Sequence, residues 1–341
     1  MKIIDKAVPT IYEVSRLAGV SLATVSRVIN DSERVREKTR QKVLAAMEEL
    51  GYRPNSMAQA LASHRSNSVG VLVSELHGPF FGAMLSTIEK TLRAAGKFAI
   101  FTAGHSEEAN EKEGMQFLMS RNCDAMILHV EATTDEYLLE CKDSMIPFVL
   151  VNRLVPGLGD RCIALNNERG SYLATKMILQ LGHRQVAYVS GPLNWADARE
   201  RLAGHKRALA EFGLHLEPSL FREGDYREDS GSRALAELLD QEVQFSAAVC
   251  ANDEMAAGAM AVAHDRGLAV PEDLSIVGFD NAPLSRYLYP KLSTVDYPIE
   301  DMSRMAARWL LRNVYGDETL EIVHQFEPKL LPRESSRPVK D

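Results

Sequence analysis

Ser74, Asn152, Arg153, Asn252, Asp253 and Asp280 each stand at or just beyond the end of a short apolar run. Hydroxyl, amide, guanidinium and carboxylate groups in that mixture suit hydrogen bonding to a polyhydroxylated small molecule. They carry no signature of a reaction. There is no GxxxxGKS/T phosphate loop, no GxSxG elbow and no HExxH helix. In "PGLGDRC" a Gly-x-Gly turn has Cys162 where a third glycine would stand. The nine histidines show no metal-ligand spacing, and His183 in "LGHRQ" reads as a residue that helps to end a helix. Cys123, Cys141, Cys162 and Cys250 form no CxxC pair and suit reduced, mostly buried thiols. Trp195 and Tyr226 could stack on a sugar ring, or simply pack. The expectation is a binding site without metal or cofactor rather than an enzyme; an enzyme acting on a small ligand is the alternative.

The elements that must hold these residues are legible as a rhythm. From Val69 onward, short apolar runs ("SVGVLVS", "KFAIFTAG", "CDAMILHV", "PFVLVNR", "RCIALN", "QVAYVSGP", "FREGDY", "AAVCAN", "SIVGFDN") alternate with helical segments such as "GAMLSTIEKTLRAAG", "SYLATKMILQLG" and "EMAAGAMAVAHDRG". Buried strands alternating with helices predict parallel α/β sheets with right-handed crossovers. About 270 residues of this pattern predict two sheets rather than one, because single cores stop growing near that size. Ligands in such folds sit beyond the carboxyl ends of the strands, where the polar residues above fall.

The N-terminal part differs. Residues 1–65 hold eleven Lys/Arg against seven Asp/Glu, a net of +4 on a chain whose total is −8. A basic segment on an acidic body suggests a polyanion partner for that segment. "TIYEVSRLAGV" predicts a helix capped by Thr10, with Ile11, Val14 and Leu17 or Ala18 on one face and a break at Gly19. Ser21 caps the next helix, "VSLATVSRVIN", in which Val25 and Val28 turn inward while Leu22, Ala23, Ser26 and Arg27 look out. A third amphipathic segment, "TRQKVLAAMEELGY", ends at Gly51. Helix, tight glycine turn, helix and supporting helix form the unit whose second helix enters the major groove of DNA. Leu22 and Ala23 could meet a thymine methyl, and Arg27 could pair with guanine O6/N7.

In "YRPNSMAQALAS", Pro54 disfavours helix at Arg53, and Asn55 or Ser56 can cap two helical turns. So short a helix is unstable alone. It is either a conditional hinge, with Leu61 as a wedge into a minor-groove step, or a plain linker. The charged, proline-containing first residues do not form a signal peptide, and no run of eighteen apolar residues suggests a spanning helix. With 45% apolar and 25% charged residues, the composition is that of a folded soluble protein.

Taken in order, "TIYEVSRLAGVSLATVSRVIN", "YRPNSMAQALAS", "ANDEMAAGAM", "VPEDLSIVGFDN" and "LSTVDYP" resemble the LacI/GalR family of bacterial transcription regulators, from about Thr10 to Pro332. Through "GPFFGAM", "VNRLVPGLGDRCIALNN" and "REDSG" the chain is most similar to the galactose-repressor branch. The resemblance implies a cytoplasmic, nucleoid-associated homodimer on a palindromic double-stranded operator, with its affinity set by a small sugar. It implies a helix-turn-helix domain over residues 1–53, a hinge over 54–66 and a periplasmic-binding-protein-like core over 67–341. That core has two doubly wound parallel-sheet subdomains, crossed three times by the chain: about 67–165 with 296–326, and about 166–295 with 327–336. DNA contacts are implied at Thr10, Ser21, Leu22, Ala23, Thr24, Ser26, Arg27, Asn30, Asn55, Ala58 and Leu61. Effector contacts are implied at Ser74, Phe80, Asn152, Arg201, Tyr226, Asn252 and Asp280, with Arg201 and Asp280 making charge-assisted bonds to sugar hydroxyls.

Three features depart from the family pattern, one of them Trp195, which sits in a loop that varies among relatives and bears on which sugar fits. Gly78 replaces the Asn or Asp often found before Pro-Phe-Phe, and "LLPRESSRPVKD" has no leucine heptad, so a dimer rather than a tetramer is expected. The implied mechanism is repression released by sugar, with galactose or a galactoside ahead of another hexose or a β-glucoside. A corepressor-type member and a sugar-binding protein without DNA are the alternatives.

Overall fold

The computed structural model describes residues 9–29, 35–53, 65–241 and 244–339. The chain falls into two compact units that divide between Asn67 and Ser68.

The first unit holds α1 (Ile11–Ala18), α2 (Leu22–Ile29) and α3 (Glu37–Leu50). At the start of α1 the Glu13 carboxylate accepts from Thr10 N–H at 2.7 Å and from the Thr10 hydroxyl at 3.0 Å. This satisfies donors that the first helical turn leaves without partners. Gly19, at φ 64°, takes the left-handed conformation that ends α1, and the Ser15 hydroxyl pins the turn by donating to Val20 O at 2.6 Å. Ser21 then starts α2, its Oγ accepting from Thr24 N–H at 3.2 Å. Val14, Val25, Val28, Val43 and Ala46 form the buried core. Of the two residues that could close the inner face of α1, Ala18 packs on this core and Leu17 is exposed.

The second unit contains two parallel sheets. The first has the order β11-β5-β4-β3-β1-β2, from β1 (Ser68–Val73), β2 (Phe98–Ala103), β3 (Ala125–Leu128), β4 (Phe148–Val151), β5 (Cys162–Leu165) and β11 (Gln325–Phe326). Its crossover helices are α4 (Pro79–Ala94), α5 (Glu108–Ser120) and α6 (Asp135–Ser144). The second has the order β7-β6-β8-β9, from β6 (Val186–Ser190), β7 (Phe221–Glu223), β8 (Ala247–Cys250) and β9 (Ser275–Val277). Around it stand α7 (Asn167–Gln180), α8 (Ala196–Glu211), α9 (Glu228–Asp240) and α10 (Asp253–Asp265). Strands β1, β3, β4, β6 and β8 are buried almost throughout, which is why they read as continuous apolar runs rather than alternating ones.

Several elements lie outside the sequence-based list, β11 among them. β10 (Thr294–Asp296) and β12 (Lys329–Leu331) form an antiparallel pair beside β9, and α11 (Ile299–Asn313) packs on α4 and β4. The chain therefore passes between the sheets after β5, between β10 and α11, and again between β11 and β12. Helix pairs in the second sheet's layer approach very closely. A Cβ on Gly204 would come within 2.0 Å of Glu168 O, and one on Gly231 within 2.1 Å of Met255 O. Only glycine permits α7 to meet α8, and α9 to meet α10, at that distance. Among the described residues no helix is long and apolar enough to cross a membrane.

Candidate functional site

On the first unit, α2 spends Val25 and Val28 on the core, which turns the remaining positions outward. Leu22, Ala23 and Arg27 are exposed, while Thr24 and Ser26 are half-buried. An exposed leucine (37%) at the start of a helix, one turn from an exposed arginine, is a surface that folding alone does not require. Thr10 and Ser21 are exposed as well, but both serve as caps, and the Ser21 and Thr24 hydroxyls lie 2.9 Å apart. Asn30, Asn55, Ala58, Leu61 and most of the hinge segment 54–66 lie outside the described residues.

In the second unit a cavity of about 270 Å³ opens where the carboxyl ends of strands from both sheets meet. Small-molecule sites span roughly 300–1,000 Å³, so this one suits a compact ligand. Of the expected residues, Phe80, Asn152, Arg201, Tyr226, Asn252 and Asp280 line it. Phe80 stands in the first turn of α4, its ring edge-to-face on Phe81 (5.2 Å) and Tyr297 (5.0 Å). Asn152 follows β4 at φ 64°, a left-handed turn that asparagine tolerates and that aims its amide across the cleft. There its Nδ2 faces Asp197 Oδ2 at 3.4 Å, and its Oδ1 accepts from Asn167 Nδ2 at 3.3 Å.

Arg201, in the second turn of α8, is 3% exposed and differs from a free ligand-binding arm. Its Nε donates to Asn167 Oδ1 at 3.0 Å and its Nη1 to Ala251 O at 2.6 Å. Asp197 and Asp280 flank it at 3.6 Å each, and its guanidinium lies 4.0 Å from the Phe279 ring centroid. It is foremost the charge that holds two buried carboxylates together. Burial pushes the Asp280 carboxyl well above the usual carboxylate range, against the pull of Arg201. Asn252 also has structural duties: it caps α10 by accepting from Met255 N–H at 2.9 Å, and donates to Tyr226 O at 2.8 Å. That bond holds Tyr226 at φ 67°, with its ring 5.5 Å from Trp195. The two rings form an aromatic wall.

Three expected polar residues point elsewhere. Ser74 is fully buried and does not line the cavity; its Oγ lies 3.4 Å from His129 Nδ1, so it supports a wall residue. Arg153 turns away to Asp135 (2.6 Å) and Val130 O (3.2 Å). Asp253 is buried behind the site, accepting from Ala282 N–H at 2.8 Å and the Thr294 hydroxyl at 2.5 Å. Its burial pushes the carboxyl up to about 7. A strand end brings a residue to the cleft, but hydrogen-bond partners decide which way it faces.

Conversely, His129, Glu131 and Asp197 line the cavity without having been singled out. The first two directly follow β3, so the strand-end rule that found Asn152 applies to them equally. Asp197 precedes Arg201 by four residues, the spacing that pairs opposite charges on one helix face. Glu111 of α5 carried no signal. It is fully buried, and its carboxylate accepts from the backbone N–H groups of Glu131, Ala132 and Thr133 and from the Thr133 hydroxyl, at 2.6–3.2 Å. This fixes the loop that presents Glu131.

Comparison with known proteins agrees with this geometry. Residues 10–55 match the model of the bacterial regulatory proteins of the lacI family, and residues 175–336 match the periplasmic binding protein-like domain. The HTH-type transcriptional regulator GalR of Escherichia coli (strain K12) is 40% identical over 326 residues, covering 96% of this chain and 95% of the relative. Among solved structures, the Lac repressor dimer bound to operator and the anti-inducer ONPF is 29% identical with a TM-score of 0.86, over 97% of this chain and 99% of its own. A CelR–cellobiose complex is 31% identical with a TM-score of 0.70, over 96% of this chain and 100% of its own. With identity of that depth along nearly the whole length of both chains, this protein is a transcriptional regulator and belongs to the LacI family of bacterial regulatory proteins.

Proposed function

We propose that the protein is a sugar-responsive repressor, acting in the cytoplasm on nucleoid DNA. As a homodimer it holds a palindromic operator with α2 of each protomer in the major groove and residues 54–66 as hinges, Leu61 wedging the operator centre. A small sugar in the cavity loosens that grip. The observation that carries this reading is the composition of the cavity wall. Asn152 comes from the first sheet and Asp197 from the helix layer of the second, and they face one another across 3.4 Å. A ligand seated among such groups bears on both subdomains at once. It can shift the balance between two subdomain arrangements by as much as it prefers one of them. Couplings of this kind are about 1–3 kcal/mol, or roughly 5- to 150-fold in affinity, enough to switch a promoter. The sugar-bound CelR relative and the operator-bound Lac repressor fit the same scheme.

The test is operator titration of the full chain with and without sugar. Affinity should fall when sugar is added; a rise would make the ligand a corepressor. In the same assay Arg27→Ala should weaken specific binding by about 1–3 kcal/mol, the worth of a good bidentate base contact, and weaken binding to random DNA less. Equal losses on both DNAs would make Arg27 a phosphate contact.

A further inference from the structure

The charges around the cavity do not balance. At its mouth Glu75 has Arg227 3.2 Å away, and Asp225 has Arg233 at 3.9 Å. Deeper in, Asp197 and Asp280 share the one guanidinium of Arg201, and Glu254, whose carboxyl burial pushes up to about 7 against the pull of Arg227, lines the cavity as well. Among the described residues Glu131 has no lysine or arginine within ion-pair distance, and Arg153 and Arg201 pull on it only from further off. The Glu131 side chain is 5% exposed, and among the described residues its nearest basic atom is Nε2 of His129, 3.7 Å from its Oε1. Burial holds that imidazole below the ordinary histidine range, so it is neutral and offsets nothing. Burial, reinforced by Asp197 and opposed by Arg153 and Arg201, pushes the Glu131 carboxyl well above the usual carboxylate range, so it holds its proton more readily than an exposed glutamate and gives it up when a cation comes beside it.

The unmatched carboxylate is built in. Glu111 clamps the backbone of the loop that carries Glu131, so the side chain is held against the cavity rather than left to swing into water. His129 supplies a second, independent sign of a missing partner. The residue is 3% exposed, lines the cavity, and its Nε2 makes no hydrogen bond. Ser74 Oγ lies 3.4 Å from Nδ1 and either atom can be the donor; in the tautomer with the proton on Nδ1, Nε2 carries a lone pair and accepts from an N–H or O–H donor. A buried acceptor beside a buried carboxylate is matched by a group that is cationic and donates several hydrogen bonds. Among the described residues no three His, Cys, Asp or Glu side chains are arranged to hold a metal ion. The Trp195 and Tyr226 rings and the polar ends of Asn152 and Asp280 ask in addition for ring carbons and hydroxyls.

We propose that the effector is an amino sugar whose ammonium sits between the Glu131 carboxylate and His129 Nε2. The inference rests on the cavity being the effector site, and it narrows the sugar to one bearing a positive charge. The test is calorimetric titration of the full-length protein with galactosamine and glucosamine. Each is compared with its parent hexose, which replaces the ammonium by hydroxyl, and with its N-acetyl derivative, which removes the charge. Operator release is followed in parallel. The expected result is at least tenfold tighter binding of one free amine than of both its neutral counterparts, with the preference lost in Glu131→Gln. Glutamine keeps the shape, so the variant should retain the wild-type circular dichroism and unfolding midpoint. If a neutral hexose binds as well as its amine and releases operator, the positive charge is overturned while the sugar-responsive reading stands. A preference that survives in Glu131→Gln overturns the assignment of the ammonium to Glu131. If no sugar, charged or neutral, binds or releases operator, both readings fall.

Discussion

Replacing Arg201 with alanine is expected to lower the stability of the unit Ser68–Asp341 by about 3–5 kcal/mol, the usual cost of removing one partner from a buried ion pair. The side chain stands between two carboxylates at 3.6 Å and donates to a buried carbonyl and a buried amide. Its loss strands all four groups at once. Arg201→Lys should recover only part of this, because an ammonium cannot reproduce the fork that reaches Asn167 and Ala251 together. Urea unfolding followed by circular dichroism measures the loss, and sugar titration on the same samples measures the response. A variant of wild-type stability that has merely lost its sugar affinity would show that Arg201 is a ligand arm and not the support of its neighbours.

A second large effect concerns pH. Asp253 is fully buried, and that burial pushes its carboxyl up from the ordinary value to about 7. The unfolded chain releases this proton near pH 4. Between about pH 4 and 7 the folded state therefore holds more protons than the unfolded one, and stability from this group falls as pH rises. It is fully present below pH 4 and gone above 7. The buried imidazoles of His129, His183 and His205, all held below the usual range by desolvation, act in the opposite direction as pH falls below about 6.5. The wild type alone thus gives a composite profile, in which the raised carboxyls of Glu131, Glu254 and Asp280 act in the same direction as Asp253, and comparison with Asp253→Asn removes the share of Asp253 together with its push on Asp280. Asparagine can still accept from Ala282 N–H and carries no charge. Relative to wild type, the variant should gain on the order of 3 kcal/mol between pH 5 and pH 8, read from urea midpoints at the two values. A difference that stays constant with pH would mean that Asp253 is ionised throughout.

Much of this was legible in the sequence because the signals are local. Thr10, Gly19, Ser21 and Gly51 cap or break helices through their own backbone conformation or side chain, so neighbouring residues suffice to read them. The strands buried on both faces announced themselves as apolar runs. β10, β11 and β12 did not, because two or three residues carry no period and their pairing is decided by partners up to about 160 residues away. The site followed the same division. Asn152 and Asp280 were found from their places after strands, whereas Glu111 acts on a loop twenty residues further on and resembles any other helix glutamate. Arg201 was found and lines the cavity, whereas the Asn167 and Ala251 groups that also hold it converge on it only in three dimensions.

The six-stranded sheet is completed by Gln325–Phe326 lying beside Ala164–Leu165. On the ribosome, β5 emerges long before the segment that covers its edge, and until that segment appears the nascent sheet presents an unpaired strand. Such edges invite pairing with other chains. The helix-turn-helix unit has contacts local enough to form early, while the sensor carries the high contact order of a chain that doubles back on itself. A polysome translating this message therefore displays finished DNA-reading modules on unfinished sensors. The strand that closes the open edge is the last but one to be made, and only β12 follows it.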